Sequence, residues 1–398
     1  MYLRHLALRE FRSWHQLAID LRPGCTQFLG PNGHGKTNIL EAIQYLANLS
    51  SHRVAQDLPL IQEGSSASRV TGIVVNVGRE LQLDLELHAG KANRARINTS
   101  PVRRPREILG IVQTVMFAPE DLSLVKGDPS ERRKYLDELL TTRRPSIASL
   151  RSDYERVVRQ RSALLKTIGV RRRGSDDSTL DTLDAWDAQL ALYGAQLLQF
   201  RLEIVALLDP LVHGAYATLA PDSRPAHIRY RSNLGDEADL AGDVADIEAL
   251  FLATLRRERN REIERGVCLV GPHRDDLELT LGQQPTKGYA SQGESWSVAL
   301  ALRLAALELL RADGGEPILM LDDVFSELDR NRRKALAGIA ENTEQVLITA
   351  AVAEDVPENL VSRVVRVSAS LSDIEGSVKR RVSQVFEPIV ETQEGDSQ

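Results

Sequence analysis

A chain of 398 residues, 42% hydrophobic, 27% charged and only 5% aromatic, exceeds one hydrophobic core and suits a helix-rich α/β protein of two or three domains rather than a β-sandwich or a disordered chain. Fifty Lys and Arg against 56 Asp and Glu leave a net charge of −6, which argues against wholesale nucleic-acid binding but leaves local patches open. Two cysteines, Cys25 and Cys268, are too few for a disulfide framework or a cysteine-based zinc site; with an N-terminus charged throughout and no apolar run suited to a membrane span, they predict a cytoplasmic protein.

The first hundred residues alternate like strands in "YLRHLALREF", "QLAIDL", "TQFLG", "TGIVVNV" and "ELQLDLELH". After "TQFLG" comes a Gly-rich loop, and then "KTNILEAIQYLANL" sets Ile39, Leu40, Ile43 and Leu46 at helical spacing. From about Pro129 the period is helical, in "ERRKYLDELL" and in two long segments separated by the polar "GVRRRGSDDST", which predicts a helical hairpin. Another helix, "DVADIEALFLATLRRERNREIERG", leads to Gly266, after which "VCLVG" and "LELTL" read as strands. An apolar helix from about Ser295 to Arg311, a strand "ILMLDD", a helix from about Arg330 and a strand "VLITA" complete an α/β layout, and "ETQEGDSQ" reads as a loose tail.

Gly30, Gly35, Lys36 and Thr37 match G-x-x-x-x-G-K-[ST] in full. The glycines let backbone N–H groups turn inward onto phosphates, Lys36 brings a point charge to the β- and γ-phosphates, Thr37 offers a hydroxyl to Mg²⁺, and the helix that follows aims its positive end at the anion. Such a loop needs a carboxylate for the metal and a base for the attacking water. Asp322 and Asp323, just past the apolar run Ile318 to Leu321, can supply both, although paired acids ending a strand are also ordinary solvated caps. The roughly 290 residues between Gly30 and Asp322 imply a large insertion, since this acidic strand commonly lies closer. Upstream, Ser291 and Glu294 have capping-box spacing and open a helix whose N-terminus is a second anion-facing surface.

"GPNGHGKT", "SQGE", "LMLDD" and "SELD" fall in the order of Walker A, signature, Walker B and D-loop, and resemble the ABC-type ATPases of the SMC superfamily. "LREFRSW", "FAPEDLSLVKGDPSERRKYLD", "GPHRDDLEL" and "LDDVFSELDRNRR" are similar to fingerprints of the RecF family of recombinational-repair proteins, over about Met1 to Ala351. The resemblance implies an α/β fold: an ABC-type ATPase head with a mixed sheet and P-loop, plus an inserted, mostly helical lid or arm domain. The expected segments are 1–121 and 266–380 for the head, 122–265 for the insertion and 381–398 for the tail.

It further implies an ATP-dependent homodimer, with Gly30, Pro31, Asn32, Gly33, His34, Gly35, Lys36, Thr37 and Asn38 around ATP, and Thr37 and Asp322 on Mg²⁺. Asp323 stands at the position of the base, beside Lys36 as a catalytic residue; Ser291 and Gly293 reach the γ-phosphate of the other protomer. Arg12 matches a position that often touches nucleotide, or is an exposed strand-end arginine, while Asp329 lies at the dimer seam or caps the next helix. The implied role is an ATP-timed clamp on duplex or gapped DNA that acts with RecO and RecR to load RecA, in replication restart and SOS induction.

Where ABC ATPases carry Glu, this chain has Asp323, a shorter reach that predicts slow hydrolysis, and where they carry a switch histidine it has Thr349 and Ala350. Gln113 is two residues from the expected Q-loop place. His273 stands beside two acids in "GPHRDD" but has no partner histidine, so a loop network of Arg and Asp is the expectation rather than a metal site. Between Arg143 and Arg173 ten Lys or Arg face two acids, a local charge of +8. That run, with Arg171, Arg172 and Arg173 at its end, is either a solvated face paired with acids elsewhere or a surface for DNA phosphates. Competing readings are an ABC transporter subunit, which does not account for the long basic insertion, a longer-armed SMC-like protein, which the few heptads do not support, and a nucleotide-binding module without turnover.

Overall fold

A computed structural model describes residues 1–170, 177–236, 240–361, 363–374 and 378–386; Arg171, Arg172, Arg173 and the tail "ETQEGDSQ" lie outside the described residues. Strands β1 (Tyr2–Phe11), β2 (Trp14–Asp20) and β3 (Gly24–Leu29) precede α1 (Lys36–Asn48). Then come β4 (Ala67–Asn76), β5 (Arg79–His88), β6 (Arg94–Ile97), β7 (Ser100–Pro101) and β8 (Thr114–Phe117). Helices α2 (Leu122–Lys126), α3 (Pro129–Arg143), α4 (Ile147–Val170) and α5 (Asp177–Leu219) follow. Next are β9 (Ala226–Arg231), α6 (Val244–Arg265), β10 (Asp276–Leu281), β11 (Gln284–Pro285) and α7 (Gln292–Ala312). The chain ends with β12 (Ile318–Asp322), α8 (Arg330–Glu341), β13 (Gln345–Ala350), β14 (Arg363–Ile374) and β15 (Val378–Phe386).

Two compact units result: Met1–Glu120 with Leu310–Gln398, and Asp121–Leu309, which is inserted in sequence between the two parts of the first. The return to the head is therefore not at 266. The strand text after Gly266 becomes β10, which pairs antiparallel with β9 of the insertion, Asp276 opposite Arg231. At the other end, β15 continues to Phe386, past the boundary expected at 380, because it forms a nine-residue ladder with β14.

The first unit holds two six-stranded sheets, β2-β1-β4-β5-β6-β7 and β15-β14-β3-β13-β12-β8. In the second sheet β14, β3, β13, β12 and β8 are parallel, and β12 and β13 are buried at every residue. Uninterrupted apolar runs such as "ILML" suit strands covered on both faces. Helix α1 touches strands of both sheets. Its predicted stripe of Ile39, Leu40, Ile43 and Leu46 is completely buried in one core with Leu3, Phe28, Met320 and Leu347. A parallel sheet presents its ligands at the carboxyl ends of its strands, and the Gly-rich loop and Asp322 both lie there, on β3 and β12.

In the inserted unit α5 packs on α4, α6 and β9, so the predicted hairpin exists as part of a three-helix assembly. The stretch Asp181–Leu219 is long and apolar enough to cross a membrane by length and composition, a feature that the sequence reading missed. Its Arg201 is buried and forms a two-point ion pair with Asp137, both contacts at 2.9 Å. "VCLVG" is not a strand. Its backbone is taken by side chains instead: Leu269 N donates to Glu262 (2.7 Å), Gly271 N to Asn233 (3.0 Å), and Cys268 O accepts from Arg274.

Arg161 of the basic run is fully buried; its Nε donates to Asp187 at 2.6 Å and its Nη2 to Glu262 at 2.5 Å. Burial opposes its charge, but the two carboxylates more than offset this and raise its pKa. Removing the guanidinium leaves the buried Glu262 without its cation and Asp187 with Arg259 alone, at 2.7 Å. Arg161→Met should therefore lower stability by about 3–5 kcal/mol, measured by urea unfolding at pH 7; a loss below about 1 kcal/mol would contradict the assignment.

Candidate functional site

The site begins where β3 ends. Gly30 N donates to Ala350 O at 3.2 Å, and a Cβ on Gly30 would sit 2.0 Å from Val367 O, so any side chain would displace β14. Gly35 precedes α1 with φ 99°, in the region open to glycine, and its carbonyl accepts Trp14 Nε1 at 3.1 Å. No side chain caps α1, which leaves its first-turn N–H groups available to an anion. The buried Lys36 Nζ donates to Gly30 O (2.8 Å), Pro31 O (3.3 Å) and Asn32 Oδ1 (3.2 Å). Burial lowers its pKa, opposed by the charges of Asp323 and Asp322.

Thr37 Oγ1 donates to Asp322 Oδ1 at 2.9 Å, and the same oxygen accepts Thr349 Oγ1 at 2.6 Å. Asp322 is buried. Burial raises its pKa to about 6, in spite of the Thr349 and Thr37 hydroxyls, with Asp323 and Glu120 adding to the rise. Asp323 has φ 49°, uncommon for a residue other than glycine and often stored at functional sites. Its N–H donates to Thr349 Oγ1 at 2.9 Å. Thr349, which the sequence offered only as a doubtful stand-in for a histidine, thus fixes both acids. The signal was the parallel register that sets Thr349 opposite Asp322, which a single sequence does not display. Glu120 was missed for the same reason: it follows β8, the neighbouring parallel strand.

Arg12 donates to Glu41 through Nε (2.9 Å) and Nη2 (2.6 Å). Glu41 is completely buried; burial works to raise its pKa, yet Arg12 and Ser51 hold it below the ordinary value. Arg12 therefore braces α1 while lining a cavity of about 550 Å³ with Ser13, Asn38, Arg53 and Gln62. The Gln62 amide is buried there with neither atom hydrogen-bonded, an orphan that a polar ligand edge could satisfy. Asn38 Nδ2 donates to Ser13 Oγ (2.9 Å). The last hairpin holds the loop from outside: His34 Nδ1 accepts Ala369 N (3.1 Å), Arg381 Nη1 donates to Gly33 O (2.9 Å), and Ser383 Oγ meets Ser13 Oγ (2.7 Å).

The other expected residues take no part in the hydrogen bonds just described. Ser291 and Gly293 open α7 in the inserted unit, and the capping box forms: Ser291 N donates to Glu294 (2.8 Å) and Glu294 N to Ser291 Oγ (3.2 Å). Asp329 caps α8 by accepting Arg332 N at 3.0 Å. Gln113 is excluded from the phosphate end of the sheet, since its carbonyl accepts Ile318 N at the amino end of β12. His273 meets Tyr154 Oη at 2.7 Å and Cys268 O at 3.3 Å, burial pushes its pKa down to about 4, and no metal-holding cluster occurs among the described residues.

One hydroxyl and one carboxylate oxygen side by side, with more acids near, fit a hard, oxygen-liganded cation such as Mg²⁺. The Lys36 ammonium and the α1 N-terminus fit a phosphate chain. This fold and site define a phosphate-loop head of the ABC/SMC type. The family model of the RecF/RecN/SMC N-terminal domain matches residues 2–373. A Rhodococcus erythropolis protein described as DNA replication and repair protein RecF is 60% identical over 385 residues, 93% of this chain and 94% of that protein. A solved structure described as the recombination mediator protein RecF-ATP in the RecFOR pathway superposes with a TM-score of 0.84 at 27% identity, over 92% of this chain and 95% of that one. An Smc head domain derived from Pyrococcus yayanosii shares the fold at 14% identity and a TM-score of 0.54, covering 97% of each chain. The chain belongs to the RecF family.

The Asp322 pKa makes a prediction with a definite sign. A carboxyl raised to about 6 favours folding while protonated; that contribution is complete below about pH 4 and is lost as pH rises through about 6. Asp322→Asn removes the loss. In EDTA and without nucleotide, the variant should gain on wild type between pH 4 and pH 7 by about 2–3 kcal/mol. Chemical denaturation across that range tests it, and parallel pH profiles for the two proteins would refute it.

Proposed function

We propose that this chain is an ATP-dependent DNA-binding clamp of recombinational repair. The observation that supports it most is the junction of Thr37, Asp322 and Thr349 beneath a phosphate loop whose lysine is already held in place. Lys36 exchanges its carbonyl partners for β- and γ-phosphate oxygens, and the free N–H groups of α1 receive the remaining charge. Thr37 and Asp322 hold Mg²⁺, which when bound neutralises phosphate charge. Asp323, pinned by Thr349, orients the attacking water. An aspartate reaches less far than a glutamate, so turnover is slow and hydrolysis acts as a release timer. The nucleoside fits the cavity of Arg12 and Gln62 beside the loop.

The lone triphosphate site invites a second protomer. In this reading Ser291 and Gly293 of one copy close over the nucleotide of another, so ATP stabilises the homodimer because the closed pair binds it more tightly than the open one. DNA lies against basic surface of the pair, with Arg171, Arg172 and Arg173 as candidate backbone contacts. The relatives named for RecF and for the RecFOR pathway support a role with RecO and RecR in delivering RecA to gapped DNA.

Lys36→Met should abolish ATP-dependent dimers in light scattering and cut ATP turnover roughly 10²-fold. Ser291→Arg should retain ATP binding but fail to dimerise. A mixture of the two variants rebuilds one intact composite site and should recover part of the turnover. Full turnover by dilute, monomeric Ser291→Arg would end the shared-site reading.

A further inference from the structure

A second cavity, of about 270 Å³ and flanked by several charged side chains, lies wholly within the inserted unit, between the first turns of α3, the start of α4 and the "GPHRDD" loop. Ser130, Arg133 and Lys134 of α3 face it together with Arg151 of α4 and the buried Arg201. Its acids are committed: Asp137 is gripped at two points by Arg201, and Glu155 lies 3.2 Å from Arg151. Nearby Asp276 is likewise gripped by Arg132, at 2.7 and 2.9 Å. Lys134 lies 3.9 Å from Glu138 of its own helix.

Arg133 is the odd member. It is half-buried, its Nη1 donates to the backbone carbonyl of Asp275 at 2.7 Å, and no carboxylate lies within ion-pair distance of it among the described residues. That single bond orients the guanidinium, and the rest of its fork is left without an anion beside the buried charge of Arg201. Burial and that neighbouring cation lower the Arg133 pKa, opposed only in part by Asp276, Tyr230 and Asp137, and an incoming anion opposes it further. His273 offers no charge here, since it is buried neutral. A half-buried cation without its counter-ion, in a cavity wide enough for a tetrahedral oxyanion and at the start of a 15-residue helix, has the chemistry of a phosphate receptor.

We propose that this cavity is a phosphate-binding site, distinct from the phosphate loop, in which Arg133 is the principal ligand and Lys134, Arg151 and Ser130 complete the shell. Two sources supply that group: a DNA backbone or a free phosphate compound. The first rests on the DNA-binding reading above, whereas the second is independent of it.

The test uses the full chain carrying Lys36→Met, so that the phosphate loop does not answer for the cavity, with Arg133→Gln and, separately, Lys134→Gln added. Inorganic phosphate replaces chloride at constant ionic strength and its midpoint is read from the melting temperature; a short DNA duplex is titrated across a salt series by anisotropy. A phosphate midpoint at least roughly tenfold weaker in Arg133→Gln supports the site. A DNA salt slope reduced by about one also supports it and identifies the backbone as the source, while an unchanged slope with a weakened midpoint identifies a free phosphate compound. Should Arg133→Gln fail to fold, Lys134→Gln carries the same two readouts. Unchanged midpoint and slope in the folded variants overturn the proposal. If the Lys36→Met parent binds no duplex, as loss of the ATP-dependent dimer would itself entail, the inorganic-phosphate midpoint alone decides this proposal.

Discussion

A carboxylate taken out of water at the end of a parallel strand is the constraint on which the head depends. Asp322 is buried, and the Thr37 and Thr349 hydroxyls that bond it come from elements on either side in the chain, 285 and 27 residues away. A buried acid without such donors would protonate or disrupt the strand. Because both donors must reach one oxygen, β3, β12 and β13 have to be neighbours in register and α1 has to start where it does. Their pairing follows: β13 lies between β3 and β12. The cost of holding the acid there is the rise in its pKa to about 6, which a bound cation relieves.

The phosphate loop is not free to choose its shape. Lys36 gathers its first carbonyls from inside, Trp14 takes Gly35 O, and β14 and β15 hold His34 and Gly33 from outside. Arg12 and Glu41 fasten the helix that follows. Preorganisation of this kind lowers the entropy lost when a phosphate chain is bound. It also explains why the last hairpin, far from the loop in sequence, belongs to the nucleotide head in the physical sense.

The inserted unit spends much of its positive charge internally. Of the basic run, Arg161 is sealed between Asp187 and Glu262, Arg144 lies over the Phe200 ring and 3.6 Å from Glu203, and Arg151 and Arg156 pair with acids of their own helix. The local excess counted along the chain therefore overstates the charge offered to solvent. These partners lie on α4, α5 and α6. Arg133 lies outside the run altogether, and among the described residues no carboxylate lies within ion-pair distance of it.

What the sequence determined by itself is whatever depends on near neighbours. The glycines and lysine of the loop, the apolar stripe of α1, the run ending in Asp322, and the Ser291–Glu294 capping box all obey rules spanning a few residues, and each is found where those rules put it. Tertiary structure decided the partners: Thr349 for Asp322, Glu41 for Arg12, Ser383 for Ser13, and β9 for the strand that looked like the head's return. It also left "VCLVG" irregular, because side chains of α6 and the loops claimed the backbone groups that a ladder would have used. Register and burial are set by contacts between segments tens to hundreds of residues apart, and no local period in a single chain encodes which segment will arrive.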